Sequence, residues 1–210
     1  RRSPRSRSRR TVGLVHVYVS EYLPSDKRAR VLGVLELFEG IPTVVFGYFA
    51  LLFVTPLLQK VIPGLSLFNP LSAGLVMGFA ILPYVSNVAA DAMQSVPRSI
   101  REAAYALGAR PYEVALKVVL PAALSGVIAA IILAASRAIG ETMIVAIAAG
   151  QRPTLTLDPR ETIATMTSYI VQAATGDQPT GSTAYYALFA VGFTLFLLTL
   201  ALNVLAQYIV

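Results

Sequence analysis

The chain has no cysteine, no tryptophan and a single histidine among its 210 residues, and charged side chains make up only 13% of it. Without cysteine there is no disulfide framework and no thiolate metal site. His16 alone cannot build a zinc site. Without tryptophan, an interfacial aromatic belt falls to tyrosine and phenylalanine. Tyr48, Tyr84, Tyr185, Tyr186 and Tyr208 stand near the ends of apolar runs, where that role places them. A soluble domain carries roughly 25% charge, so the shortage of charge excludes an ordinary soluble protein. No glycine-rich phosphate loop of the G-x4-G-K-[ST] kind occurs, so the chain does not itself bind ATP. No paired carboxylates and no nucleophile–base set point to catalysis, and nothing calls for a cofactor.

What is present is apolar length. Hydrophobic residues make up 56% of the chain, and its mean hydropathy is +0.67. A helix crosses a bilayer in about 20 residues. Four runs reach that length, at residues 41–59, 71–93, 121–149 and 185–209. They predict an all-α, polytopic helical membrane protein. The net charge of +6 comes from one place: Arg1 to Arg10 holds six arginines, and the rest of the chain balances eleven basic against eleven acidic side chains. Residues 1–10 read as a disordered Arg/Ser-rich tail or an artefact of an incomplete gene, rather than a nucleic-acid or anionic-lipid patch. Thr11–Leu23 is apolar, but at about 20 Å as a helix it is too short to cross. It reads as the remnant of a longer span, so the transmembrane domain at 11–210 is expected to lack its first span or spans.

Charge also sets the orientation. Lys27, Arg28, Arg30, Arg98, Arg101, Arg110 and Lys117 fall on one set of connections; Lys60, Arg152 and Arg160 fall on the other. The positive-inside rule puts the first set in the cytoplasm. Residues 24–40 then form an amphipathic cytoplasmic elbow, and 60–70 an external turn. Pro83 is a kink site within the second span. In the external segment, Asp158-Pro159-Arg160-Glu161 predicts a helix start, with Asp as the cap, Pro first and Glu third. Gly176 is the expected stop, and Asp177–Ser182 a flexible loop. Asp91, close to a span end, reads as a hydrated interfacial carboxylate.

Two features carry chemistry. The first is a short charged unit between apolar spans, residues 97–121. Ile100–Leu107 predicts a helix whose Ala103, Ala104 and Ala106 let another surface approach. Gly108 permits a sharp turn with positive φ. Pro111-Tyr112-Glu113 starts a second helix, and Leu120-Pro121 leads into the next span. The second is Arg137 with Glu141, both inside the run 121–149. A charge at mid-bilayer costs at least about 2.5–3.5 kcal/mol on insertion scales. Spacing of four puts the two on one helical face, with Gly126, Ala130 and Ala134 on the same stripe. Two readings stand for the pair: a structural ion pair between helices, or an anion site in which the guanidinium bonds a phosphate oxyanion through two parallel N–H groups.

Glu102-Ala103-Ala104, Gly108, Val118 and Leu120-Pro121 together resemble the EAA loop of ABC-importer permeases, E-A-A-x3-G-x9-I-x-L-P, with Val118 in place of Ile. In that family the loop is the coupling helix that seats in a cleft of a cytoplasmic ATPase. Ser136-Arg137-Ala138-Ile139-Gly140-Glu141-Thr142-Met143 resembles the R-A-x-G-E-T segment of the phosphate (Pst) importer permeases. Glu36-Leu37 with Gly40-Ile41-Pro42-Thr43-Val44-Val45-Phe46-Gly47 resembles their G-I-P-S-V-V-Y-G segment. Met143, Thr165-Met166-Thr167 and Tyr185-Tyr186-Ala187-Leu188-Phe189 are more similar to the C-type subunit than to its A-type partner. The resemblance covers about residues 12–210. It implies a type I ABC-importer transmembrane domain in a prokaryotic inner or plasma membrane, surrounded by membrane lipid. It implies a second permease subunit, a cytoplasmic ATP-binding dimer and a periplasmic phosphate-binding protein as partners, and no nucleic acid. Glu102, Ala103, Ala104, Gly108, Leu120 and Pro121 would couple to the ATPase; Arg137 and Glu141 would line the substrate path. The function implied is phosphate import by alternating access. The alternatives are a permease for another oxyanion such as sulfate or molybdate, and a non-transporting signalling or scaffold subunit.

Overall fold

The computed structural model describes residues 40–176 and 179–209. The tail at 1–10, the apolar stretch at 11–23 and all but the last residue of the elbow at 24–40 lie outside the described residues. Among those described, every regular element is helical. Two helices are long and apolar enough to cross a membrane, Pro70–Gln94 and Thr183–Ile209. A third span exists if Pro111–Ala122 and Leu124–Gly140 are taken together, although they bend by 68° at the break between them. Thr43–Gln59 is apolar but shorter. Four apolar runs therefore do not give four unbroken spanning helices. Run length counts hydrophobic residues, whereas span length depends on where the backbone stays helical.

In chain order the helices are α1 (Thr43–Phe49), α2 (Thr55–Gln59), α3 (Pro70–Gln94), α4 (Arg98–Ala106), α5 (Pro111–Val114), α6 (Leu120–Ala122), α7 (Leu124–Gly140), α8 (Met143–Ala148), α9 (Met166–Thr175) and α10 (Thr183–Ile209). Two π-helical turns, Ala50–Val54 and Ala115–Val119, join α1 to α2 and α5 to α6. Both precede a proline. Pro56 and Pro121 have no N–H to give to the carbonyl four residues back. The residue before each reaches one step further instead: Thr55 N–H bonds the Ala50 carbonyl, and Leu120 N–H bonds that of Ala115. The two stretches share the pattern Ala-Leu-x-x-Val-x-Pro, at 50–56 and 115–121. α3, by contrast, continues through Pro83.

The chain divides into two compact units. Of the described residues, one holds Pro83–Ile132 and 206–209; the other holds 40–82 and Leu133–Leu205. In the first, Met93, Val96, Val114, Ala115, Val119 and Ala123 form a buried cluster. It clamps the end of α3 against the α5–α6 region by burying apolar surface. Here α7 approaches α3 closely, since a Cβ on Gly126 would come within 2.6 Å of the Ala92 Cβ. Gly126 is half-buried and Ala130, one turn on, is buried; Ala134 of the same stripe is buried in the other unit.

In the second unit, α8 packs on α1 and α9, burying Ile144, Val145, Ala148 and Phe46. Three polar residues are fully buried beside this contact, namely Thr55, Asn69 and Ser72. Asn69 caps α3: its Oδ1 accepts from Ser72 N and Ser72 Oγ, both at 2.8 Å. Ser72 Oγ and Thr55 Oγ1 lie 2.7 Å apart, and Thr55 Oγ1 donates to the Ala50 carbonyl at 3.0 Å. Pro70 follows as the first helical residue, where its missing N–H costs nothing.

The segment after α8 departs from expectation. No helix starts at Asp158. The stretch 152–158 is irregular, and its neighbour 159–165 bonds back to the 66–71 turn and the end of α8. Ser66 N donates to Arg160 O, Leu71 N to Pro159 O, and Ile163 N to Ala149 O. The Asp158 carboxylate accepts from Arg160 N at 3.0 Å, as a cap does, and from the Arg160 side chain, whose Nη2 lies 2.6 Å from Oδ2; no helix follows because the Pro159 and Arg160 carbonyls bond the 66–71 turn instead. α9 begins eight residues later with Thr165 as its cap, in a reciprocal arrangement with Ser168. Gly176 does end it.

Candidate functional site

The charged unit at 97–121 folds as its residues require. α4 runs Arg98–Ala106 after Pro97. Gly108 then turns the chain with φ of 80°, a conformation that costs a residue with a side chain about 1 kcal/mol or more. α5 opens on Pro111, with Arg110 N donating to Glu113 Oε2 at 3.1 Å. Glu113 Oε1 also takes Lys117 Nζ at 3.0 Å, one helical turn on.

The six predicted coupling residues divide by exposure. Glu102, Ala103, Gly108 and Pro121 are exposed. Ala104 and Leu120 are half-buried and pack on the shared cluster of Met93, Val96 and Val114. One alanine of the pair thus faces out and the other anchors the helix. Exposed apolar side chains surround the outward face: Ile100, Tyr105, Leu107 and Tyr112. Leu107 is 89% exposed, beside the Gly108 turn.

From sequence, Arg101 counts toward topology and, with Arg98, is a candidate partner for Asp91, the less favoured reading of that carboxylate. Arg101 Nη2 donates to the Met93 carbonyl at 2.7 Å. Met93 lies in the last turn of α3, where carbonyls lack helical partners. The signal in the sequence was weak: an arginine in the first turn of α4, seven residues beyond the end of α3. Asp91 is exposed, as a hydrated interfacial carboxylate requires.

Arg137 and Glu141 do not share a helical face. α7 ends at Gly140, and Glu141 and Thr142 are not helical; α8 begins at Met143. Arg137 occupies the last turn of α7 and is exposed, while Ser136 beside it is buried. Arg137 thus leaves the buried stripe of Ala130 and Ala134. It lies about 20 Å along α7 from Leu124 at 1.5 Å per residue. Nor is the path from Leu120-Pro121 one straight element, because the helix axis turns 68° at Ala123.

Four hydrogen bonds hold the break. Glu141 N donates to Ala138 O at 3.2 Å. Thr142 Oγ1 donates to Gly140 O at 3.3 Å. Glu141 Oε1 accepts from Met143 N at 3.2 Å. Thr167 Oγ1, from the first turn of α9, donates to the Glu141 carbonyl at 2.8 Å. An interrupted helix needs such replacements wherever water is scarce. Thr142 and Thr167 went unassigned from sequence. The cue available was Gly-Glu-Thr, a helix-breaking triplet inside an apolar run. Among the described residues no cluster of histidine, cysteine or carboxylate side chains can hold a metal ion. An open cleft of about 570 Å³ lies by Phe68, Ala146 and Gly150–Pro153; neither Arg137 nor Glu141 lines it.

Residues 22–210 match the family model described as "Binding-protein-dependent transport system inner membrane component". The chain belongs to this family. It is 31% identical over 193 residues to the probable ABC transporter permease protein YqgH of Bacillus subtilis, covering 92% of this chain and 62% of that one. It is 32% identical over 212 residues to the phosphate transport system permease protein PstC of Xylella fastidiosa, covering 90% of this chain and 64% of that protein. The chain therefore spans a little under two thirds of these relatives' length. A solved chain of the MetNI methionine ABC transporter, from a study of its inward facing conformations, superposes with a TM-score of 0.65 at 16% identity. That likeness covers 95% of this chain and 85% of the other. The fold is the all-α transmembrane domain of a type I ABC importer.

Proposed function

We propose that this chain is the membrane-spanning permease subunit of an ATP-driven inorganic phosphate importer, of the C type. A second permease subunit, a cytoplasmic ATPase dimer and a periplasmic phosphate-binding protein complete the machine. The observation that carries the reading is the interrupted helix at Gly140–Thr142, with the exposed Arg137 one turn before it and Glu141 within it. An arginine aimed at lipid from the middle of an apolar run is disfavoured by about 2.5–3.5 kcal/mol or more. An aqueous path or a second subunit therefore faces it. Irregular backbone at membrane depth is tolerated where it is buried in protein or lines such a cavity. A guanidinium there offers two parallel N–H groups to a tetrahedral oxyanion, and Glu141 nearby in sequence limits how tightly the anion is held. The relatives named for phosphate transport, in Xylella fastidiosa and elsewhere, support phosphate as that oxyanion.

In this reading the exposed face of 97–121 seats on the ATPase, and closure of the ATP-bound dimer moves it. The spans then alternate between outward- and inward-open states. The deciding experiment is uptake of radiolabelled phosphate by proteoliposomes holding the assembled complex. Arg137→Gln is expected to reduce uptake by at least about tenfold, the loss of a charge-assisted contact. Unchanged uptake removes Arg137 from the path. Competition by sulfate or molybdate, rather than by phosphate alone, would reassign the substrate to another oxyanion.

A further inference from the structure

We infer that Arg101 is a positioning residue for energy coupling: it fastens the ATPase-facing helix α4 to the C-terminal turn of α3, so that the two move as one body. The inference rests on the coupling role proposed for 97–121. Arg101 sits on the helix that carries Glu102 and Ala103, yet its side chain turns away from their exposed face. Nη2 donates to the Met93 carbonyl at 2.7 Å, and Nε is buried. Met93 itself is 2% exposed and belongs to the cluster on which Ala104 packs. α4 therefore has two attachments to one place, an apolar one through Ala104 and a polar one through Arg101.

Their mechanical characters differ. Packing on an alanine is non-directional and allows sliding. A charge-assisted hydrogen bond to a helix-terminal carbonyl fixes direction and suits the negative end of the helix dipole. Between them, Ser95-Val96-Pro97 is too short to act as a slack tether: about three residues of extended chain reach roughly 10 Å. A push on α4 thus reaches α3 through Arg101 rather than through bending of the connection. A methionine at 101 keeps the apolar stem and loses the donor; a lysine keeps a donor and the charge but not the planar fork.

The test uses the complete complex in proteoliposomes and measures phosphate moved per ATP hydrolysed. Arg101→Met is expected to assemble and hydrolyse ATP, with that ratio down about tenfold, as loss of one charge-assisted hydrogen bond allows. Arg101→Lys is expected to restore most of it. An unchanged ratio in Arg101→Met overturns the inference. Gly108→Val, measured in parallel, separates the two levels: intact coupling in Gly108→Val defeats the coupling reading of 97–121 itself, whereas lost coupling there with an unchanged Arg101→Met ratio defeats only the role of Arg101. Should Arg101→Met fail to assemble, the wild-type arginine still decides. The chain has no cysteine, so spin labels can be placed at Gln94→Cys and Tyr105→Cys, both exposed, in a complex with cysteine-free partners. Their separation is expected to stay fixed between nucleotide-free and ATP-bound states. A shift on ATP binding overturns the inference.

Discussion

Thr167 donates its hydroxyl proton to the main-chain carbonyl of Glu141, 26 residues earlier, at 2.8 Å. Thr167 is 4% exposed, and the carbonyl belongs to the gap between α7 and α8. The bond replaces one that an unbroken helix would have supplied. It pins the gap to the first turn of α9, whose own cap is the neighbouring Thr165.

Thr167→Val keeps the shape and removes the donor. Leaving the Glu141 carbonyl without its partner is expected to cost about 1–3 kcal/mol. Thermal unfolding of the purified complex should register that loss, and phosphate uptake should fall with it. Thr167→Ser should restore both. Equal behaviour of the Val and Ser variants would show that the hydroxyl is dispensable.

The shape of the charged unit at 97–121 was legible residue by residue because its signals are local. Gly108 needed positive φ, Pro111 could only begin a helix, and Glu113 sat three residues beyond a cap. The interrupted helix was not. An apolar run from 121 to 149 has helical composition throughout, and the spacing of Arg137 and Glu141 presumes an unbroken helix between them. Three of the bonds at the break are local, and the fourth comes from Thr167, 26 residues on. Composition alone cannot register such a contact. The Asp158 helix start failed for a related reason. Its cap pattern was sound, and Asp158 does accept from Arg160 N, but the carbonyls of Pro159 and Arg160 bond the 66–71 turn, and the chain makes a turn there and no helix.

Asn69 joins a cap to a buried polar network. Its Oδ1 serves Ser72 N and Ser72 Oγ, and its own N–H donates to the Ala148 carbonyl at 2.9 Å. Replacing an Asn cap by Ala costs about 0.5–2 kcal/mol. Here Ser72 and Thr55 also lose a buried partner, so Asn69→Ala should lie at the upper end, about 2 kcal/mol. The midpoint of thermal unfolding should drop accordingly, while Asn69→Asp, which keeps the acceptor, should lose less.

Asp158 offers a titration. Hydrogen bonds from the Arg160 side chain and then its backbone N–H hold the carboxyl down at about 2, from an ordinary 3.8. A depressed carboxylate contributes its stabilisation above the ordinary value and loses it as pH falls through about 2. Both groups are in water, so the effect on global stability is small. Isotope-edited infrared spectroscopy should therefore find Asp158 ionised at pH 4 and show no change at this loop between pH 7 and 5. In Arg160→Gln the carboxyl should titrate higher than in the native chain, stopping short of its ordinary value because the backbone N–H at 160 still donates to it. A midpoint near 4 in the native chain would mean that the pair is not formed.

Glu141 has one observed duty and one that the proposed function gives it, and substitutions divide them. Its Oε1 accepts from Met143 N at 3.2 Å, a bond that a glutamine oxygen can also make. Its charge is what would keep Arg137 from holding an anion too firmly. Glu141→Gln should therefore assemble and unfold like the native chain, because the start of α8 keeps its acceptor. Phosphate uptake should fall nonetheless, with slower turnover and a KM no higher than native, the signature of an anion retained rather than missed. Glu141→Ala loses the acceptor too, and should lower the unfolding midpoint by the equivalent of about 1 kcal/mol. If Glu141→Gln instead transports at the native rate, the carboxylate is a structural cap for α8 and has no part in conduction.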